Sequence, residues 1–150
     1  MLTERSSDYR RNWFSENKDK EDSRGRYRCV YCGRKFKKQD ITIDHVIPVF
    51  AAKRSFLARM YLHSNGIHNV NDTANLVPAC AKCNKKKGAS IRGYPIKASL
   101  GKHEMWWLIV RLFRLAVVIT IAYLLWRYRY QILALAESAK RSFTILKQMF

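Results

Sequence analysis

Cys29-Val30-Tyr31-Cys32-Gly33 and Cys80-Ala81-Lys82-Cys83-Asn84 carry all four cysteines of the chain, as two Cys-x-x-Cys pairs. Two such pairs in one short chain, with no cysteine left over, are the ligand set of a tetrahedral structural zinc site, thiolate sulfurs sitting about 2.3 Å from the metal. Between and just after them stand Asp44-His45, Asn75 and Asn84, residue types able to hold a cation and to activate a water. The run from Met1 to Asp8 has no apolar core of the kind a signal peptide needs. An intracellular, reducing location is therefore expected, where paired cysteines favour metal over disulfide.

The stretches around the cysteines read outward from them. Residues 1–26 are polar and poor in aliphatics, a loose helix or a disordered arm with Trp13-Phe14 as its docking point. Residues 27–38 suit a short strand and a turn at Gly33. Ile41-Thr42-Ile43-Asp44-His45-Val46-Ile47 is β-branched and alternating until Pro48, hence a strand. Residues 50–62 look helical, residues 67–79 read as a loop, and the run after Cys80 suits a short helix ending at Gly88. Residues 89–104, with Gly93, Pro95 and Gly101, read as a linker. With 29 Lys and Arg against 11 Asp and Glu, the net charge is +18; residues 1–104 hold 22 basic and 10 acidic residues, residues 105–150 hold 7 and 1. Such a surplus suggests a polyanionic partner, either nucleic acid or an anionic membrane surface.

Taken in order, Cys29-x-x-Cys32-Gly33, then Ile43-Asp44-His45-Val46-Ile47-Pro48, then Asn75-Leu76-Val77-Pro78-Ala79-Cys80-x-x-Cys83-Asn84-x-x-Lys87-Gly88 resemble the HNH endonuclease family. The likeness covers residues 27–88 and implies a small, zinc-stapled ββα-metal domain within an α+β chain. It implies a metal-dependent endonuclease acting on DNA, with RNA as an open alternative. His45 is the natural general base, its ordinary pKa lying near working pH. The resemblance assigns Asp44 to the catalytic cation, Asn84 to the same cation through its amide oxygen, and Asn75 to holding the His45 ring. An all-oxygen protein shell suits Mg²⁺ or Mn²⁺. The last motif position is often His in the family, so Asn84 makes this an HNN variant. In a regular strand Asp44 and His45 point to opposite sides, so the metal assignment implies a distortion or a strand end there. Thirty positions separate His45 from Asn75, more than the compact family pattern spans, and residues 50–62 fill the gap. Lys53, Arg54 and Arg59 in that insert, and Lys85, Lys86 and Lys87 after Cys83, are the expected phosphate-contacting residues.

Two other readings compete. One is a non-catalytic zinc module that binds nucleic acid. The other is a membrane-active protein in which the zinc knuckle only scaffolds, because residues 105–130 form a hydrophobic segment. From Leu115 to Trp126 only Thr120 is polar, so a helix there has no polar face and is buried all round, in lipid or among partner helices. Extending it back to Leu108 reaches spanning length but includes Arg111 and Arg114, which makes insertion of 106–126 marginal on hydrophobicity alone. Trp106 and Trp107 at one end and Trp126, Tyr128 and Tyr130 at the other suit the two interfaces of a bilayer. Membrane anchoring on the cytoplasmic face and a helix-mediated oligomer or partner contact are both open. Residues 131–150 then read as an amphipathic helix: Ile132, Leu135, Ala139, Phe143, Leu146 and Phe150 on one face, Glu137, Lys140, Arg141, Thr144 and Lys147 on the other.

Overall fold

The computed structural model describes residues 6–149. The expectations for residues 1–5, for Phe150, and for the side chains of Ile132, Thr144, Leu146 and Lys147 lie outside the described residues. The chain divides into two units, residues 1–107 and residues 108–150.

The first unit is built on two short antiparallel pairs. Strands β1 (Arg26–Arg28) and β2 (Lys35–Lys37) form a hairpin in the register Tyr27 opposite Phe36. Strand β3 (Ile41–His45) pairs with β4 (Leu76–Cys80), Ile41 opposite Cys80 and His45 opposite Leu76. The stretch 67–79, expected as a loop, thus contributes most of a strand. Pro78 made it read otherwise, since proline breaks a ladder wherever its N–H is needed. Here the Pro78 carbonyl accepts from Val30 N at 3.0 Å. A residue's N–H and C=O point to the same side of an antiparallel strand, so the side of Pro78 that lacks a donor faces Val30 and costs β3 nothing.

Alternation along β3 decides what packs where. Ile41 and Ile43 are buried in a cluster with Trp13, Phe14, Tyr27 and Leu76. Trp13 and Phe14 come from α1 (Tyr9–Glu16), so part of the expected N-terminal arm belongs to the core. The boundary expected at residue 27 runs through a packed cluster. On the other face of β3 lies α4 (Ala81–Lys87).

The expected helix over 50–62 is two helices, α2 (Val49–Arg54) and α3 (Phe56–Ser64). Ser55 breaks them: its backbone is extended, and its Oγ accepts from Ala58 N at 3.3 Å as the N-cap of α3. The pair closes over its own small core of Ile47, Ala52, Ala58, Leu62, Ile67 and Val70.

The expected linker, 89–104, contains α5 (Tyr94–Gly101). Ala98 is buried with Val30, Val46 and Val77, and Gly101 meets the zinc knuckle so closely that a Cβ there would lie 1.9 Å from the Val30 carbonyl oxygen. Trp107, near the start of α6 (Glu104–Arg127), donates from Nε1 to the Gly101 carbonyl at 2.9 Å. Its ring lies against Gly33, where a Cβ would fall 2.3 Å from a ring carbon. Gly33 also has φ +73°, so both its backbone and its lack of a side chain are required. The first unit therefore ends in packed structure at Trp107, not at a flexible tether.

In the second unit, α6 continues to Arg127 and is followed by α7 (Arg129–Met149). Apart from half-buried Val110, the large apolar residues of α6 from Leu108 to Trp126 are exposed. Arg129 stacks on Trp126 and Tyr130, its guanidinium carbon 5.4 and 4.4 Å from the ring centres.

Candidate metal and nuclease site

The four cysteine Sγ atoms all lie within 4.8 Å of one another. A tetrahedron with Zn–S bonds of about 2.3 Å requires sulfurs about 3.8 Å apart, so the donor set closes on zinc with small adjustments. Local backbone prepares the first pair: Gly33 N donates to the Cys29 carbonyl and Cys29 N to the Arg34 carbonyl, both at 2.9 Å. The second pair straddles a strand-to-helix junction, Cys80 being the N-cap of α4 and Cys83 lying in its first turn, where unpaired N–H groups favour thiolate. The thiols are poised unequally. Burial pushes Cys29 up to about 11. At Cys32 burial also acts upward, but hydrogen bonds from the Arg34 backbone and side chain, joined by those with the Cys29 and Cys83 thiols, bring it down to about 7. Burial also raises Cys83. Four sulfurs packed this closely are the donor set of a zinc site, where the cation offsets their mutual repulsion as thiolates.

The zinc-tied helix α4 presents two side chains to β3, one turn apart. Asn84 Nδ2 donates to Thr42 Oγ1 at 3.1 Å, and Thr42 Oγ1 donates to the Ala79 carbonyl at 2.7 Å. One step further along, the Lys87 ammonium lies 3.1 Å from Asp44 Oδ1 and 3.0 Å from Oδ2, and donates to the His45 carbonyl at 2.6 Å. Tyr31 OH donates to Asp44 Oδ2 at 2.7 Å; burial, and then the Asp44 charge, push the Tyr31 pKa far up, so it stays protonated as a donor. Asp44 and Asn84 therefore share the crevice between β3 and α4. That crevice also holds two residues whose part was not read from the sequence, Tyr31 and Lys87. Lys87 was expected on a phosphate-contacting face and is instead 2% exposed. The spacing explains the correction: Lys87 follows Asn84 by three positions and so shares its inward face, while Lys85 and Lys86 are exposed.

His45 stands on the opposite face of β3, with Ile41 and Ile43. The strand is regular through His45, so no distortion turns Asp44 and His45 to one side. The His45 ring lies 4.9 Å from the Tyr9 ring of α1, and Nε2 is 3.1 Å from Asn71 Oδ1. Asn71, not Asn75, touches the ring. Asn75 is 1% exposed and clamps the backbone that leaves β3: its Oδ1 accepts from Ile47 N at 2.8 Å, and its Nδ2 donates to the Ile47 carbonyl at 3.1 Å and the Val70 carbonyl at 2.8 Å. Its own carbonyl accepts from Val46 N at 2.7 Å. Asn75 thus fixes where His45 sits, while Asn71 and the Tyr9 ring contact the imidazole itself. No spacing rule in the sequence singled out Asn71, four positions before the motif asparagine.

Lys53, Arg54 and Arg59 are exposed, and no acidic residue occurs from Val49 to Ser64. Arg59 reaches back from α3 to the Lys53 carbonyl at 3.2 Å, and Arg54 stacks on Phe50, its guanidinium carbon 4.6 Å from the ring centre.

The model of the HNH endonuclease family matches residues 29–54, a stretch that includes the first cysteine pair, Asp44, His45 and α2. The match stops short of Asn75, the second cysteine pair and Asn84, which the fold brings to the same site. Neither a curated protein nor a solved structure matches the chain. A nuclease or nucleic-acid-binding role follows for this domain.

Zinc should hold the first unit together, because its core is split into several small clusters and zinc contributes of order 10 kcal/mol in small domains. Cys83→Ser should lose bound zinc and the cooperative unfolding transition, measured by metal analysis and circular dichroism. A zinc-free Cys83→Ser protein that unfolds like the wild type would contradict this.

Proposed function

We propose that the chain is a metal-dependent endonuclease that hydrolyses DNA phosphodiester bonds. The observation that carries the reading is the end of β3, where adjacent residues put the two required functions on either side of one strand. A base candidate, His45, is oriented by Asn71; a carboxylate and an amide, Asp44 and Asn84, share the crevice below. Asp44 and His45 are consecutive at the end of the strand, about 3.3 Å apart along its axis.

In this reading His45 takes a proton from a water, the resulting hydroxide attacks phosphorus, and the bond to the leaving oxygen breaks. Asp44 and the Asn84 amide oxygen would hold Mg²⁺ or Mn²⁺; Asn84 fits because its nitrogen is committed to Thr42, leaving the oxygen for a cation. Bound there, the cation supplies positive charge against the phosphate and the leaving oxygen. Lys53, Arg54, Arg59, Lys85 and Lys86 are exposed cations suited to backbone phosphates, whose neutralisation makes binding salt-sensitive.

One observation favours a second reading, a zinc module that binds nucleic acid without cutting it: Lys87 and Tyr31 already occupy the Asp44 carboxylate. Supercoiled plasmid separates the two. Zinc-loaded protein should nick or linearise it with Mg²⁺ or Mn²⁺ and not without, and His45→Ala should lower the rate by about 10²- to 10⁴-fold while still binding DNA. Wild-type protein that retards plasmid and never cuts it would establish the second reading.

We also propose that α6 tethers this intracellular nuclease to a membrane, on its cytoplasmic face. The helix is long and apolar enough to cross a bilayer, and none of its apolar window is buried; its 24 residues reach about 36 Å against a hydrocarbon core of about 30 Å. Arg111 and Arg114 lie towards its first half, from which long side chains reach the interface. The full-length protein should sediment with membranes and resist carbonate extraction. Detergent-free solubility as a defined oligomer would assign α6 to partner helices instead.

A further inference from the structure

Among the described residues, Lys87 is the one lysine or arginine that is buried. Its side chain is 1% exposed and faces an Asp44 side chain that is 8% exposed. It straddles both carboxylate oxygens, spends a further proton on the His45 carbonyl, and lies 5.8 Å from the centre of the Tyr94 ring. Buried lysine is rare because the charge loses its water; here Asp44 and a carbonyl replace that water. The arrangement is mutual, since Asp44 buried alone would be equally costly.

We propose that Lys87 is a tethered cation that competes with the divalent metal for Asp44 and so sets how much metal the site needs. This rests on the nuclease reading, in which Asp44 and Asn84 hold that metal. Asn84 and Lys87 project from the same face of α4, and α4 is fixed at its start by two zinc cysteines. Lys87 therefore cannot leave the crevice by moving the helix; it can only swing its side chain or share the carboxylate. Either way a divalent cation at Asp44 meets a positive charge already within bonding distance of both oxygens, and like charges at such range in a poorly solvated crevice repel strongly. In the absence of metal the same ammonium fills the crevice, within 3.1 Å of both Asp44 oxygens. The site thus takes metal only when the ion is abundant, and the fold survives without it.

The test is Mn²⁺ binding to full-length, zinc-loaded protein in detergent, read by the loss of the free Mn²⁺ electron paramagnetic resonance signal. Lys87→Met removes the charge and keeps the length; Lys87→Gln removes it and keeps a donor, in case the first variant does not fold. Lys87→Arg keeps the charge, and Asp44→Asn identifies the site. Both neutral variants should bind Mn²⁺ about tenfold tighter or more, Lys87→Arg should stay near wild type, and Asp44→Asn should lose the site. A purely structural lysine would give the opposite sign, since loosening the crevice weakens a metal site. Wild-type binding that Asp44→Asn abolishes, with neutral variants no tighter, overturns the proposal for Lys87 and leaves the nuclease reading standing. No Mn²⁺ binding in any variant overturns both.

Discussion

Everything at the site depends on the tie between the 29–33 turn and the start of α4. Four sulfurs close enough to share one tetrahedral ion join a hairpin turn to a strand–helix junction 50 residues away. Without that tie α4 is a seven-residue helix, too short to persist alone, and its inward residues have no reason to face β3. With it, Asn84, next to Cys83, and Lys87, one turn further on, are held against Thr42 and Asp44. The knuckle is closed from its other side by Trp107 on Gly33 and by Gly101 on Val30, so residues well past the cysteines complete it.

The second constraint is the two-residue period of β3. One parity, Ile41, Ile43 and His45, faces the aromatic cluster of α1; the other, Thr42 and Asp44, faces α4. A single strand thereby separates His45 from the Asp44 crevice, and Asn75 fixes where that strand ends by binding the Val46 N–H and both backbone groups of Ile47. The basic residues of α2, α3 and α4 stand on elements that leave this same stretch or pack on it.

Much of this was legible in the residues. The cysteine spacing announces the metal site, alternation from Ile41 announces β3, and Gly88 marks the end of α4. What stayed hidden depended on tertiary partners. Pro78 disguised β4 because its harmlessness rests on Val30 standing beside it. Ser55 split a continuous helical pattern by capping, and Tyr94–Gly101 looked like a linker because Gly and Pro at its ends are as common in loops as at helix termini. Trp13 and Phe14 were visible as apolar residues in a polar run, but not the cluster they complete. The roles of Asn71, Tyr31 and Lys87 arise from contacts across 13 to 43 positions, which no local pattern encodes.

We propose that Asp44 and Asn84 hold a divalent cation across β3 from His45, apart from the zinc. Anomalous diffraction from crystals soaked in Mn²⁺ tests it most directly. The account predicts one peak among Cys29, Cys32, Cys80 and Cys83, and a second, manganese-specific peak about 2.1 Å from an Asp44 carboxylate oxygen and the Asn84 amide oxygen, with the Lys87 ammonium displaced or sharing the carboxylate. A zinc peak alone, with Lys87 still straddling Asp44 at saturating Mn²⁺, would contradict it.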